Sequence, residues 1–200
     1  MLVLLIRHAM TPVQDRLGQR AAISLSPEGE LQATRLAERL KNVNLAAVFT
    51  SPLTRAVQTA RAIVARREVP LITEAALREV DVGEWDGRTF SELEAMGLWK
   101  HFNTFRSGVR TPGGEMMIEV QARIVGCLER WAREYGDHTI AAVSHADVIR
   151  GAICHYSGIP LDVSMRVRIC HGSISALSLW ESGAQLICLN DSGEWGGWSS

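Results

Sequence analysis

Met1-Leu2-Val3-Leu4-Leu5-Ile6-Arg7-His8 is an unbroken apolar run that ends on two side chains able to handle a phosphate. A continuous run, as opposed to an alternating one, suits a strand covered on both faces in the middle of a parallel sheet. In open parallel sheets ligands bind beyond the carboxyl ends of the strands, so Arg7 and His8 stand where chemistry is expected. The run is too short for a secretory signal core and far too short to span a bilayer, so the expected location is cytoplasmic.

Working outward, Ser26-Pro27-Glu28 reads as a helix start, with a capping Ser, a preorganised Pro and a Glu that complements the helix dipole. Leu31, Leu36 and Leu40, with Ala33 and Ala37, predict an apolar stripe on a helix ending near Asn42. Residues 45–50 read as a second buried strand, which leads through Ser51-Pro52 into a helix carrying Ala56, Val57, Ala60, Ile63 and Val64 inward. A long amphipathic helix is expected over 116–135, a third buried strand over 139–143 and its following helix over 146–156. Residues 174–180 and 185–189 read as two late strands joined by a turn at Glu181-Ser182-Gly183-Ala184. Such alternation predicts an α/β fold, a three-layer α/β/α sandwich around a mostly parallel central sheet. Two hundred residues suit one domain spanning 1–200. The irregular stretch at about 83–114, with Trp85, Trp99, Phe102 and Phe105, is expected to form a wall or lid. Those aromatics could stack on a substrate ring, although core packing is the stronger expectation for each.

Lys and Arg total 21 against 22 for Asp and Glu, a net charge of −1. No global field draws this chain to nucleic acid or to a membrane, so any anion binding is local. The four cysteines, Cys127, Cys154, Cys170 and Cys188, are widely spaced, with neither a C-x-x-C pair nor a Cys/His cluster. They are expected to be reduced, mostly buried thiols and not metal ligands.

Three segments follow buried strands: Arg7-His8, Ser51 to Arg55, and Ser144-His145. Taken singly, a histidine at a strand end is usually a hydrogen-bonded structural group and an arginine on a helix is usually solvated or salt-bridged. Together they suit a phosphomonoester. Arginine grips two phosphate oxygens at once and balances charge spreading over them. A neutral imidazole can attack phosphorus in line if its other ring nitrogen is held by an acceptor. The leaving alcohol then needs a proton donor. Glu79, in Leu77-Arg78-Glu79-Val80-Asp81, and Glu84 are the candidates, and spacing does not choose between them.

Arg7-His8-Ala9-Met10-Thr11 resembles the Arg-His-Gly-Glu-Thr signature of the histidine phosphatase superfamily, the phosphoglycerate mutase-like proteins. Residues 51–60, Ser-Pro-Leu-Thr-Arg-Ala-Val-Gln-Thr-Ala, are similar to its second block. Leu77-Arg78-Glu79 with Gly83-Glu84-Trp85-Asp86-Gly87 resembles the acid-bearing block, Pro112-Gly113-Gly114-Glu115 the segment opening the long late helix, and Val143-Ser144-His145 the last block. The order is the family's and spans nearly the whole chain. The resemblance implies a phosphoglycerate mutase-like fold and a phosphohistidine on His8. It further implies Arg7, Arg55 and His145 on the phosphoryl group, and Glu79 as general acid and later base. Gln14 stands where many members carry an Asn that contacts phosphate. Neither cofactor nor metal is implied.

Departures are Ala9 for Gly, Met10 for Glu, which makes the pocket edge more positive and apolar, and Glu194 for a basic or His-bearing ending. The chain resembles the shorter phosphatase branch, so hydrolysis of a small phosphorylated substrate is the leading expectation. Phosphoglycerate mutase-type transfer and a non-catalytic phosphate- or phosphopeptide-binding module are the alternatives. A homodimer stays open. Arg16, Arg20, Arg88, Arg106 and Arg110 flank the expected site as candidates for a second acidic group. His171 lies in the loop before a late strand, with no partner legible from sequence.

Overall fold

The computed structural model describes residues 1–12, 15–18 and 22–193; Gln14, Arg20 and Glu194 lie outside the described residues. The element order is β1 (Leu2–Arg7), α1 (Pro27–Arg39), β2 (Leu45–Thr50), α2 (Thr54–Val64), β3 (Leu71–Thr73), α3 (Phe90–Glu94), α4 (Gly97–Thr104), α5 (Met117–Tyr135), β4 (Thr139–Ser144), α6 (Ala146–Ser157), β5 (Ile174–Trp180) and β6 (Gly183–Asp191). The strands form a six-stranded sheet in the order β3-β2-β4-β1-β5-β6. β1 runs parallel to β4 and antiparallel to β5, and β2 runs parallel to β3 and β4.

Alternation along each strand sends successive side chains to opposite faces. Val3, Leu5, Ala47, Phe49, Ile140 and Ala142 pack with Val120, Ile124, Leu128 and Trp131 of α5 and with Val148 and Ile153 of α6. Leu4, Ile6, Val48, Ala141 and Val143 pack with Leu36 of α1 and with Ala56, Ala60 and Ile63 of α2. Both faces are therefore covered, which is why the central strands read as continuous apolar runs. The mixed α/β fold, with helices on either side of a mostly parallel sheet, is the one expected.

Several local features differ from expectation. Leu31 is 61% exposed, because it lies five residues before Leu36 and so about 140° around the helix from the buried Ala33–Leu36 face. α1 ends at Arg39, with Leu40 as its C-cap. The late turn is only Glu181-Ser182, since Gly183 pairs with Trp180 and Ala184 with Leu179, and β6 runs on to Asp191. β3, α3 and α4 have three, five and eight residues, too few for a periodic signal to stand out. Cys127 and Cys154 are buried, Cys170 and Cys188 are half-buried, and all four are free. No helix among the described residues is long and apolar enough to cross a membrane.

The 83–114 segment is more ordered than its composition suggests. Trp85 and Phe102 are buried, with ring centroids 5.5 Å apart, and Trp99 meets Trp85 edge-on at 5.3 Å, whereas Phe105 is exposed. The two ends of the segment meet. The Glu84 amide donates to Pro112 O at 2.8 Å, and Gly83 adopts φ +57° where a Cβ would lie 1.9 Å from that carbonyl oxygen.

Gly29, in the first turn of α1, packs against the loop that follows β1: a Cβ there would sit 2.0 Å from Met10 O. In a helix Ala is ordinarily more stable than Gly by about 1 kcal/mol. Here the sign is expected to reverse. Gly29→Ala should lower stability by roughly 1–3 kcal/mol, through the backbone shift that the clash forces, read as a lower urea midpoint at unchanged slope.

Candidate active site

Strand register assembles the site. Arg7 lies opposite Ser144, and Thr50 opposite Val143, so β1, β2 and β4 end side by side. The His8 amide donates to Ser144 O and the Ser51 amide to Val143 O, both at 2.9 Å, which extends the ladder one step past the strands. His145 follows as the N-cap of α6, and Arg55 is the second residue of α2. His8, Arg55 and His145 are all buried.

Donor and acceptor chemistry sets the histidine tautomers. His8 Nδ1 lies 2.8 Å from Ala9 O, and a carbonyl only accepts, so Nδ1 carries the proton. Nε2 then holds the lone pair, which accepts from Arg55 Nε at 3.2 Å. Arg55 Nη2 donates to His145 Nδ1 at 3.2 Å, leaving His145 Nε2–H to donate to Ser51 Oγ at 2.8 Å. The His8 and His145 rings stand 5.1 Å apart. Arg7 donates from Nη1 to Ile169 O at 2.6 Å and from Nη2 to His171 Nε2 at 2.8 Å. Arg7 Nε and Arg55 Nη1 are buried donors without a hydrogen-bond partner among the described residues.

Burial and the neighbouring Arg55 push His8 well below the ordinary imidazole pKa. Burial, His8 and Arg55 do the same to His145. Both rings are therefore neutral, as a nucleophilic imidazole must be. Burial lowers Arg7 and Arg55 from the usual guanidinium value, with Glu79 acting in the opposite direction on each.

Glu79 differs sharply from Glu84. Glu84 is exposed. Burial, reinforced by Asp147, pushes the Glu79 carboxyl up to about 7, against the Val80 amide, Arg55 and Arg7, which favour ionisation. Its backbone is held from two sides. Ser144 Oγ donates to Leu77 O at 2.8 Å, and Arg123 of α5 donates to Ala76 O and, at 3.4 Å, to Glu79 O.

Two contributors, Thr59 and Gln32, carried no sequence signal, whereas His171 was singled out without a partner. Thr59 Oγ1 accepts from the Ala9 amide at 3.0 Å and donates to Arg55 O at 2.8 Å. Gln32 accepts from the Met10 amide at 3.0 Å and donates to His171 O at 2.7 Å. His171 comes within 5.2 Å of the His8 ring, centroid to centroid. Ala9 does not have a positive φ, so replacing the signature glycine strains nothing. The flanking arginines are mostly engaged. Arg106 is buried and donates to Asp147 Oδ2 at 2.7 Å, Arg110 pairs with Glu119, Arg88 donates to Glu84 O, and Arg16 donates to Gly87 O. Among the described residues no group of three or more His, Cys, Asp or Glu side chains is placed to hold a metal ion.

The family model of the histidine phosphatase superfamily (branch 1) matches residues 3–192. Phosphoserine phosphatase 1 of Hydrogenobacter thermophilus is 28% identical over 197 residues, covering 94% of this chain and 91% of that protein. The "Probable phosphoglycerate mutase GpmB" of Enterobacter sp. (strain 638) is 28% identical over 184 residues, covering 90% of this chain and 86% of that protein. Among solved structures, Bacillus stearothermophilus YhfR superposes with a TM-score of 0.89 at 26% identity, covering 95% of this chain and 96% of that one.

Thr59→Val keeps the shape of the side chain but leaves the buried Ala9 amide without an acceptor. It should cost about 1–3 kcal/mol, read from urea unfolding, and lower turnover by loosening Ala9 and Arg55 together. Thr59→Ser, which restores the hydroxyl, should recover most of both.

Proposed function

Because the chain belongs to the histidine phosphatase superfamily, branch 1, we propose that it hydrolyses phosphomonoesters of small molecules through a phosphohistidine formed on His8. The observation that carries this reading is the Ala9 carbonyl on His8 Nδ1, which leaves the Nε2 lone pair facing Arg55. An imidazole held this way is a nucleophile in waiting, with cationic donors beside it.

In the first step the substrate phosphoryl group takes the place of Arg55 Nε at His8 Nε2, and the unspent N–H groups of Arg7 and Arg55 bind its oxygens. Nε2 attacks phosphorus, the ester P–O bond breaks, and its electron pair leaves on the alcohol oxygen, which takes the proton of Glu79. In the second step the Glu79 carboxylate draws a proton from water, the oxygen attacks phosphorus, and the N–P bond breaks with its electrons returning to Nε2. His145 is neutral and presents Nδ1 towards Arg55. The arriving dianion favours the imidazolium, whose Nδ1–H then adds a donor.

The resemblance to the shorter phosphatase branch, and the likeness to a phosphoserine phosphatase over most of both chains, support hydrolysis over transfer to a second hydroxyl. The whole chain is read as one catalytic domain, with 83–114 as a wall beside the site.

His8→Ala should abolish turnover of para-nitrophenyl phosphate and the acid-labile, alkali-stable phosphoenzyme; wild-type turnover in that variant would overturn the mechanism. With an alkyl phosphate, Glu79→Gln should cost about 10²–10⁴-fold in kcat, and far less with para-nitrophenyl phosphate, whose leaving group needs little protonation. Glu79 donates only while protonated, so wild-type kcat on the alkyl ester should fall as pH rises through about 7. Isomerisation of 3-phosphoglycerate primed by a bisphosphate, without phosphate release, would favour the mutase. Phosphate binding with no turnover at all would favour a binding module.

A further inference from the structure

We propose that His171 is a positioning residue of the phosphoryl pocket: it fixes the Arg7 guanidinium, and Gln32 in turn fixes the loop that carries it. This rests on the phosphoryl-binding reading of Arg7 given above. Arg7 has both terminal nitrogens engaged, Nη1 on Ile169 O and Nη2 on His171 Nε2, while Nε is buried with no partner among the described residues. Pinning both ends of a planar guanidinium stops its rotation, so the remaining N–H groups point to one place.

The arrangement has a definite chemical requirement. A guanidinium donates and never accepts, so His171 must offer a lone pair at Nε2 and carry its proton on Nδ1. Burial and the charge of Arg7 hold the ring neutral, with its pKa lowered to about 4. An imidazole in that state is an acceptor for a cation, as His145 is towards Arg55, and this use differs from the nucleophilic role of His8.

The loop around His171 is tied to the nucleophile's own backbone. The Gly172 amide lies 3.1 Å from Arg7 O and 3.3 Å from His8 O, and donates between them. Gln32, from α1, bridges the Met10 amide and His171 O, so the segment after β1 and the segment before β5 are clamped by one side chain. The His171 ring sits as close to the His8 ring, 5.2 Å, as the His145 ring does at 5.1 Å. A side chain required only for packing would not need the acceptor facing Arg7, and the clamp on its backbone keeps that acceptor in place.

The test compares His171→Phe, which keeps a ring without an acceptor, with His171→Gln, which keeps an acceptor without the ring. The readouts are inorganic phosphate binding by calorimetry, and kcat and KM on para-nitrophenyl phosphate. His171→Phe should weaken phosphate binding and lower kcat/KM by about tenfold or more, the loss expected for one hydrogen bond to a charged group. His171→Gln should stay within about threefold of wild type. Wild-type phosphate affinity and kcat/KM in a folded His171→Phe protein would overturn the proposal, as would a His171→Gln protein impaired as severely as His171→Phe. If His171→Phe does not fold, His171→Leu against His171→Asn makes the same comparison. A wild-type protein that binds phosphate but releases none from any ester overturns only the hydrolase reading, because calorimetry still reads the role of His171. A wild-type protein that binds no phosphate overturns both.

Discussion

Two guanidinium groups and three imidazoles are gathered within a few ångströms at the carboxyl ends of the central strands, and the rest of the structure follows from the repulsion this implies. Five positive charges in so dry a space would not be stable. The protein resolves the conflict by keeping the imidazoles neutral. Each one turns a lone pair towards an arginine and its N–H away, His8 to Ala9 O and His145 to Ser51 Oγ. Every such bond needs a partner at a fixed place. Ala9 is therefore held by Thr59, and Met10 and the His171 loop by Gln32. The positive charge that remains, on Arg7 and Arg55, is a standing demand for an anion.

The same cationic field explains why an acid can sit nearby. Glu79 would ionise readily beside two arginines, yet burial and the negative Asp147 oppose them and keep the carboxyl poised near neutrality. Asp147 itself accepts from Arg106 at 2.7 Å and from Arg150 at 2.9 Å. Arg106 comes from the end of the wall segment, and Asp147 stands two residues after His145. The 83–114 segment and the helix that His145 caps thus share an ionic contact, and Arg106, expected among the candidates for a second acidic group, serves as a strut.

The architecture was largely legible in the sequence because central strands with two covered faces leave continuous apolar runs, and those runs point at the residues that follow them. Arg7, His8, Arg55 and His145 were visible in this way as a set that converges. Glu79 and Glu84 could not be separated by spacing; exposure separates them. Thr59, Gln32 and the contact between His171 and Arg7 left no trace, because hydrogen bonds between residues from 22 to 164 positions apart have no periodicity. Leu31 departs from the expected stripe because its helical phase sets it opposite Ala33 and Leu36, so an apolar side chain there faces solvent. The short α3 and α4 were invisible for lack of turns, and the aromatic cluster they carry looked like irregular chain.

The register of β4 between β1 and β2 bears on how the protein comes to be active. His8 and His145 become neighbours only when β4 lies between β1 and β2, which precede it by about 140 and about 90 residues of chain, a pairing of high contact order. A growing polypeptide with β1 and α2 complete already contains His8 and Arg55 but lacks the strand that brings them together. The geometry of the site therefore depends on the closing of the sheet, because no shorter stretch of chain holds His8, Arg55 and His145 side by side.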